Sequence, residues 1–201
     1  MLPTPSGECP IASMDPQLIA AARQGDPDAF RALYDTLVFP VTRVVRALVR
    51  DRDVADDVVQ ETFVSVFRGL GDFRSDSEIG TWVTRIALNR ARDALRRRKR
   101  APRSLDALEA EDGRPLDERA DLAASERPAS DPWLARLLRA QIDRLPPEFR
   151  DCFLLREAGG HSYEEIAEIM EIPVGTVRSR LLRARERLRA ALGPALREER
   201  E

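Results

Sequence analysis

Histidine and cysteine are scarce in this chain, which has one His and two Cys among its 201 residues. Because Cys9 and Cys152 lie far apart in the sequence, neither a disulfide framework nor a metal site built on paired cysteines is expected. Cys152 is expected to be a small buried residue rather than a reactive one. His161 directly precedes Ser162 and is expected to be a loop residue. No Ser/His/Asp or Cys/His arrangement can be built around His161, so the sequence predicts no catalytic residue, no metal site and no cofactor.

The chain also lacks a long apolar run. No stretch approaches the roughly twenty apolar residues that span a bilayer, and the N-terminal segment has neither an early basic cluster nor an apolar core. Neither membrane insertion nor secretion is therefore expected, and a cytoplasmic location is predicted. Charged residues make up 34% of the chain but the net charge is only -2, so the charge of each segment is more informative than the sum.

A helix-turn-helix pattern lies at residues 162–185. Ser162 can cap a helix, and Glu165 stands three residues later, as in a capping box. Pro173 and Gly175 then interrupt the pattern, and a second helical repeat follows. This second helix has one narrow apolar face and basic or polar residues elsewhere. The apolar residues are Val177, Leu181, Ala184 and Leu188, and the others are Arg178, Ser179, Arg180, Arg183, Arg185 and Arg187.

The basic second helix of this motif suits the major groove of duplex DNA, which admits one helix and offers guanine acceptors to Arg. The alternative is an Arg-rich surface helix that packs on its neighbours and binds nothing. The near absence of interleaved Glu favours DNA, because ion pairs between neighbouring turns usually support a solvated helix. The expected contact residues are Thr176, Arg178, Ser179, Arg180 and Arg183.

Residues 51–70 combine an apolar helical face with an acidic first half. Carboxylates stabilise the positive end of a helix dipole, so from spacing alone this explanation and a binding surface are equally supported. No His accompanies the carboxylates, so a metal or acid–base site is not expected. The apolar face includes Val54, Val58, Phe63 and Phe67, and the carboxylates are Asp53, Asp56, Asp57 and Glu61.

A basic helix is predicted from Thr81 to Arg100. Its apolar side carries Trp82 and Ile86, while another side carries Asn89 and a row of arginines. Cations that follow phosphates, a ring that stacks on a base and an amide that reads a base edge suit single-stranded nucleic acid. The alternatives are that Trp82 anchors the core and that the basic run is a solvated helix end complementing its dipole.

The chain is predicted to be all-α, with two small helical domains joined by a flexible linker. The first domain is placed at residues 15–100 and the second at residues 132–193. Between them, residues 101–131 carry prolines and an acidic bias, which is typical of a linker. Residues 1–14 are predicted to be a mobile tail, and residues 194–201 a charged one. The spacing of apolar residues also predicts helices near residues 15–25, 132–145 and 148–158. Residues 28–50 are predicted to form either one helix, bent at Pro40, or a pair of helices.

Two sets of motifs carry a family resemblance. The first set is Asp53-Val-Ala-Asp-Asp-Val-Val-Gln-Glu-Thr-Phe63 and Thr81-Trp-Val-Thr-Arg-Ile-Ala-Leu-Asn-Arg-Ala-Arg-Asp93. The second is Leu145-Pro-Pro-Glu-Phe-Arg150, His161-Ser-Tyr-Glu-Glu-Ile-Ala167 and Ile172-Pro-Val-Gly-Thr-Val-Arg-Ser-Arg-Leu-Leu-Arg-Ala-Arg185. Together they resemble a minimal sigma factor of bacterial RNA polymerase. The closest resemblance is to the extracytoplasmic-function (ECF) group of the sigma-70 family, which has only sigma regions 2 and 4. It covers about residues 15–100 and 132–192.

This resemblance implies a function and assigns residues to it. It implies a sigma factor that binds the clamp coiled coil and the flap of core RNA polymerase and directs promoter-specific transcription initiation, with an anti-sigma factor as the expected regulator. The polymerase-binding residues would be Asp53, Asp56, Asp57, Gln60 and Glu61. The -10 element, with its non-template strand melted, would be read by Phe73, Arg74, Ser75, Trp82, Arg85, Asn89, Arg92 and Arg96. The -35 element would be read as duplex by the helix-turn-helix residues Thr176, Arg178, Ser179, Arg180 and Arg183.

Two other functions are compatible with parts of the chain. A helix-turn-helix regulator that binds an operator without docking on polymerase would explain residues 162–187 but leave residues 51–100 unexplained. A nucleic-acid-processing enzyme would need a carboxylate or His site, for which the sequence offers no candidate. Gly80, directly before Thr81 and Trp82, departs from the family pattern and is expected to soften the start of that helix.

Overall fold

The computed structural model describes residues 14–73, 77–100 and 132–193. Within these ranges the chain is all-α, as predicted, with no strand. The predicted linker and nearly all of both predicted tails lie outside the described residues, as do Arg74 and Ser75. The helices are α1 (Pro16–Arg23), α2 (Pro27–Leu48), α3 (Arg52–Gly69), α4 (Ile79–Arg100), α5 (Pro132–Arg144), α6 (Pro147–Glu157), α7 (Tyr163–Met170) and α8 (Val174–Leu192), and a 3-10 turn covers Leu70–Asp72.

Aspartates cap the first three helices. The side chains of Asp15, Asp26 and Asp51 each accept a hydrogen bond from a backbone N–H of the first turn that follows. In α1 and α2 a proline occupies the first helical position, where its missing N–H costs nothing. These caps fix the starts of the helices at the residues after which apolar side chains recur at helical spacing.

The long helix α2 is the centre of the first domain. It packs against α1, α3 and α4, and its inner face buries Leu33, Leu37, Val41 and Val45 almost completely. The helix continues through Pro40, whose ring is also buried. Burial of this stripe explains why a proline is tolerated here, since tertiary packing outweighs its low helix propensity.

Helix α4 begins at Ile79, two residues before the predicted start. Gly80 and Thr81 are buried inside its first turn. Gly80 therefore lies within the helix.

The two predicted domains dock on each other. One continuous cluster of buried apolar side chains runs from α2, α3 and α4 to α6, α7 and α8. Helix α4 packs against α7, and α2 packs against α6. A smaller cluster lies wholly in the second domain and contains Leu145, Phe149, Ala184 and Leu188. The sequence predicts domains connected only through a linker, so this docking is a feature that the pattern of residues did not indicate.

Among the helices described, none is long and apolar enough to cross a membrane.

Candidate nucleic-acid and partner interfaces

The helix-turn-helix begins with the predicted capping box. Glu165 N donates to Ser162 Oγ at 3.1 Å, and Ser162 N donates to Glu165 Oε2 at 2.6 Å. The imidazole of His161, whose Nδ1 lies 3.9 Å from Glu165 Oε1, and the hydrogen bonds from Ser162 lower the pKa of Glu165 to about 2, although burial acts in the opposite direction. His161 lies in the loop, as expected, but it is fully buried beneath the motif. The predicted start of α7 is therefore confirmed, and the carboxylate of its capping box is partly buried beside the His161 ring.

The turn between α7 and α8 contains a residue in an unusual conformation. Glu171 caps the end of α7 with φ 55° and ψ 48°, the left-handed region that favours glycine. Its backbone N–H donates to carbonyl groups of α7, which ends the helix. Pro173 then precedes α8. The left-handed backbone of Glu171 costs roughly 1–2 kcal/mol relative to a right-handed one.

Helix α8 presents the predicted DNA-contact residues on its outer surface. Arg178, Ser179 and Arg183 are exposed and Thr176 is partly exposed, while Ser179 Oγ donates to the Thr176 carbonyl at 2.9 Å. Val177, Leu181, Ala184 and Leu188 are buried beneath them, as the periodicity predicts. The predicted contact residues therefore share one helix.

Arg180 and Leu182 differ from the simple pattern. Arg180 is partly buried and lies beside Cys152, whose pKa burial raises while the neighbouring guanidinium opposes the rise. Cys152 is fully buried, as expected. Leu182 is 59% exposed on the outer surface of α8, and the sequence analysis did not identify it. Its exposure could have been predicted from the sequence, because residue 182 lies outside the helical stripe formed by Leu181 and Leu188.

The acidic residues of α3 lie on its solvent-facing side. Asp53, Asp56, Asp57, Gln60 and Glu61 are all exposed. Asp56 pairs with Arg46 at 3.2 Å and Glu61 with Arg97 at 3.7 Å. Asp53 and Asp57 have no recorded ion pair with another described residue. These two carboxylates are therefore the ones most available to a basic partner.

An exposed apolar strip continues this acidic surface along α3. Val64 is 48% exposed and Phe67 is 64% exposed. Phe67, which the sequence places on the apolar face of this helix, is not in the core: its ring packs edge-on against Phe30, with the centroids 5.0 Å apart, and keeps most of its surface in solvent. Val58, Phe63 and Val66 fill the core instead. Carboxylates beside exposed apolar side chains form a surface typical of protein–protein contact.

The aromatic residues at the start of α4 pack on each other. The rings of Phe73 and Trp82 lie 5.1 Å apart at 44°. Phe73 is 5% exposed, whereas Trp82 is partly buried, with Gly69 beneath its six-membered ring. Neither explanation for Trp82 is therefore complete, because the ring contributes to the core and keeps part of its surface accessible. Phe73 is covered in this conformation.

Arginines of α4 contact the second domain. Arg92 Nε donates to Asp151 Oδ2 at 2.8 Å, and Arg85 Nη1 donates to Glu171 Oε1 at 3.2 Å. Asp151 is buried, 2% exposed, whereas Arg85 is partly buried and Glu171 is exposed. Asn89 is exposed and Arg96 pairs with Asp93 of its own helix. Two of the arginines expected to bind nucleic acid are thus occupied by carboxylates of the helix-turn-helix domain.

Helix α2 and the residues that follow it supply two further anchors. Arg43 Nη2 donates to the Gly159 carbonyl at 3.2 Å. Arg50 pairs with Asp143 and donates to the Arg139 carbonyl at 3.3 Å. Burial, with the positive charges of Arg139 and Arg150, lowers the pKa of Arg50. The described part of the chain contains no group of His, Cys, Asp and Glu that could hold a metal ion.

Comparison with known proteins gives matches to both halves of the chain. The family model for Sigma-70 region 2 matches residues 33–101, and the model for Sigma-70, region 4 matches residues 135–188. RNA polymerase sigma-H factor of Pseudomonas aeruginosa is 39% identical over 187 residues, which is 92% of this chain and 96% of the relative. ECF RNA polymerase sigma-E factor of Escherichia coli K12 is 39% identical over 185 residues, or 91% and 96% of the two chains.

Two solved structures are also similar. CnrH in complex with the cytosolic domain of CnrY has a TM-score of 0.65 at 28% identity, and the match covers 89% of this chain and 96% of that one. The sigma factor RpoE in complex with the anti-sigma factor NepR, from Bartonella quintana, has a TM-score of 0.62 at 24% identity over 82% and 96% of the two chains. The second likeness concerns the fold alone.

Proposed function

Because the chain belongs to the sigma-70 family, in its ECF group, we propose that it binds core RNA polymerase and promoter DNA through the surfaces described above. As a sigma factor it directs promoter-specific transcription. The observation that carries this conclusion is the presence of both family regions, in order, at residues 33–101 and 135–188. The 39% identity extends over 96% of the sigma-H relative, so nearly the whole length of that relative is matched by this chain.

The polymerase-binding surface is assigned to the exposed side of α3. Its residues are Asp53, Asp56, Asp57, Gln60 and Glu61, which all face solvent. Asp53 and Asp57 are the principal charges, because the side chains of Asp56 and Glu61 already pair with arginines. The clamp coiled coil of the polymerase is the docking element proposed for this surface, and the flap is a further proposed partner of the chain.

The -10 element is assigned to α4 and the segment before it. The proposed residues are Phe73, Arg74, Ser75, Trp82, Arg85, Asn89, Arg92 and Arg96. Trp82 offers a partly exposed ring, Asn89 an exposed amide, and the arginines follow the phosphates of the melted strand. Flipping a base costs a few kcal/mol, whereas stacking contributes about 1–3 kcal/mol per base. Captured bases and phosphate contacts can therefore hold a short bubble open once polymerase supplies the remaining free energy. The family acts in initiation without catalysing a reaction.

The -35 element is assigned to the exposed surface of α8. The proposed residues are Thr176, Arg178, Ser179, Arg180 and Arg183. Their support is the helix-turn-helix geometry, in which the second helix enters the major groove. Arg178 and Arg183 are the proposed base readers, because their side chains are exposed and Arg reads guanine.

A protein regulator is also proposed. CnrH, which is 28% identical to this chain, was solved with the cytosolic domain of CnrY, and this complex supports an anti-sigma factor as partner. We place the chain in the cytoplasm, because its proposed partners, polymerase and promoter DNA, are found there.

The alternative of an operator-binding regulator that does not dock on polymerase is not favoured. It accounts for α7 and α8 but gives no role to region 2, which matches residues 33–101. It also leaves the exposed carboxylates and apolar strip of α3 without a partner.

The test is transcription in vitro with purified bacterial core polymerase over a library of promoter sequences. We expect transcripts from a defined subset of promoters only when the chain is added, and co-elution of the chain with core polymerase. If the chain instead retards duplex DNA alone, neither associating with polymerase nor supporting transcription, the operator-binding alternative is correct.

A further inference from the structure

The outer surface of α8 carries a line of residues without charge. Because an α-helix has about 3.6 residues per turn, positions 175, 179 and 182 lie one above another along it. Gly175, Ser179 and Leu182 occupy these positions and form the outer line of α8, and all three are exposed. The outer line stands opposite the buried stripe that runs from Val177 to Leu188, because its positions are offset from that stripe by two residues, or about 200°.

Exposed arginines border the outer line on both sides. Arg178 and Arg189 lie on one side of it, and Arg183 and Arg187 lie on the other. The major groove of a duplex has a matching arrangement, because base edges form its floor and phosphates line its two walls. When α8 enters the groove as a recognition helix, the outer line therefore faces the base edges.

Gly175 allows a close approach at the N-terminal end of the outer line. A side chain at this position would meet no atom of the chain within 4 Å, and Gly175 is not among the glycines with a positive φ. Neither packing nor backbone conformation therefore explains a glycine here. The absence of a side chain lets the first turn of α8 come close to another molecule, which is one of the uses of glycine.

Leu182 is the apolar residue of the outer line. Its side chain is 59% exposed, whereas Leu181 beside it is buried. A single exposed leucine is ordinary on a protein surface, but this one lies one turn after Arg178 and directly before Arg183. The base edges of the major groove offer an apolar group, the C5-methyl group of thymine, which apolar side chains contact. Leu182 thus combines the chemistry for that methyl group with a position that faces the bases.

Glu186 limits the length of the contact. It lies one turn beyond Leu182 and is exposed. A carboxylate is repelled by the phosphates on both walls of the groove, so base contact along the outer line ends before residue 186. From Gly175 to Leu182 the helix rises about 10 Å, or about three base-pair steps. Leu182 is therefore the last residue of the outer line that reaches a base pair.

We propose that Leu182 is a specificity-determining residue, which contacts the C5-methyl group of a thymine in the -35 element beside the base pairs read by Arg178 and Arg183. This inference rests on the proposed function of α8. It adds a preference that the arginines do not supply, because Arg reads the O6 and N7 acceptors of guanine. A base without the methyl group leaves the leucine side chain facing water in the groove.

The experiment removes the methyl group and keeps the base pairing. Holoenzyme is assembled from core polymerase and the full-length chain, and the promoter is the one selected in the transcription library. Each thymine of its -35 element, on either strand, is replaced in turn by deoxyuridine, and the affinity of the holoenzyme is measured by competition with the labelled parent promoter. We expect one position at which uracil weakens binding about fourfold, the effect of one methyl group in an apolar contact.

Leu182→Gln is the variant and Leu138→Gln is its matched control. Both residues are exposed leucines of the second domain, but Leu138 lies on α5. Glutamine has a similar length and a good helix propensity but no apolar end, so Leu182→Gln should bind the thymine and uracil promoters equally. Leu138→Gln should keep the fourfold preference. Leu182→Met keeps a long apolar side chain and should keep it too.

Several results would overturn the proposal. One is a preference for thymine that survives in Leu182→Gln, since another residue would then contact the methyl group. Equal affinity of the wild type for thymine and uracil at every position, or a selected -35 element without thymine on either strand, would overturn it as well. If Leu182→Gln loses core polymerase binding and Leu138→Gln does not, Leu182 contacts a protein instead.

Failure of this inference can be distinguished from failure of the proposed function. Arg178→Ala is measured on the same promoters, and promoter-specific transcription is measured with the wild-type holoenzyme. If Arg178→Ala weakens recognition of the -35 element while Leu182→Gln keeps the preference for thymine, the role of Leu182 is wrong and the assignment of α8 stands.

Discussion

Asp57 is the residue at which the polymerase-binding assignment can be tested with least disturbance to the fold. It is exposed, and no ion pair joins it to another described residue. We expect Asp57→Arg to weaken binding to core polymerase at least tenfold, because like charges facing each other across an interface cost several kcal/mol. Titration of labelled core polymerase with the variant measures this effect.

Asp35→Arg is the matched control for Asp57→Arg. Asp35 is also an exposed aspartate of the first domain, but it lies on α2. This control should bind polymerase like the wild type, and both variants should keep the wild-type melting temperature. Equal losses in the two variants would mean that net charge, rather than the α3 surface, governs association.

Glu165 gives a prediction for pH dependence. Its pKa in the folded chain is lowered from 4.5 to about 2, first by His161 and then by the amide and hydroxyl of Ser162. A depressed folded-state pKa means that the carboxylate stabilises the fold above pH 4.5 and loses this effect as the pH falls towards 2. Glu165→Gln keeps an acceptor for the cap but removes the charge, so we expect a loss of about 1 kcal/mol at neutral pH.

Urea unfolding of the Glu165→Gln variant between pH 2 and pH 7 checks this prediction. The difference from the wild type should shrink below pH 4.5. Glu164→Gln is the control, because Glu164 lies in the same first turn of α7 but is exposed and takes no part in the capping box. A Glu164→Gln variant with the same pH profile would show that the dipole of α7, rather than the buried cap, is responsible.

At the level of the element, α8 separates promoter reading from polymerase binding. Arg183→Ala or Arg178→Ala should weaken recognition of the -35 element by about 1–3 kcal/mol, the contribution of a base-reading Arg, and leave core binding unchanged. Transcription from a promoter selected in the library assay, and from versions with altered -35 sequence, measures the loss. Arg189→Ala removes an exposed charge from the end of the same helix and should have little effect. Parallel loss of polymerase binding would contradict the division of roles.

The helices themselves follow from local signals in the sequence. Ser162 and Glu165 predict the start of α7, and the stripe Val177, Leu181 and Leu188 predicts the buried face of α8, because caps and periodicity act within a few residues. Phe67 was misplaced for the same reason. Helical spacing shows which residues share a face but does not show how far the neighbouring helix extends along it.

The docked arrangement of the two domains could not be predicted from these local signals. The pairs Arg92–Asp151 and Arg85–Glu171 join residues that are far apart in the chain, and an exposed Arg has the same sequence signature as a paired one. The left-handed conformation of Glu171 could not be predicted from its residue type either, because it depends on how α7 ends. The candidate DNA and polymerase residues were identified through the family motifs, whereas the contacts that cover some of them appear only in three dimensions.

At the level of the whole molecule, a shared core predicts how the chain unfolds. Two independent domains would melt in two steps, whereas one continuous apolar cluster across α2–α4 and α6–α8 should melt as a single cooperative unit. Calorimetry of the wild type should therefore give one transition with equal calorimetric and van't Hoff enthalpies. Combining Glu171→Gln with Asp143→Arg removes two of the ion pairs at the domain interface and should split that transition, while Glu168→Gln should not. Two resolved transitions in the wild type would mean that the domains unfold independently despite their shared apolar cluster.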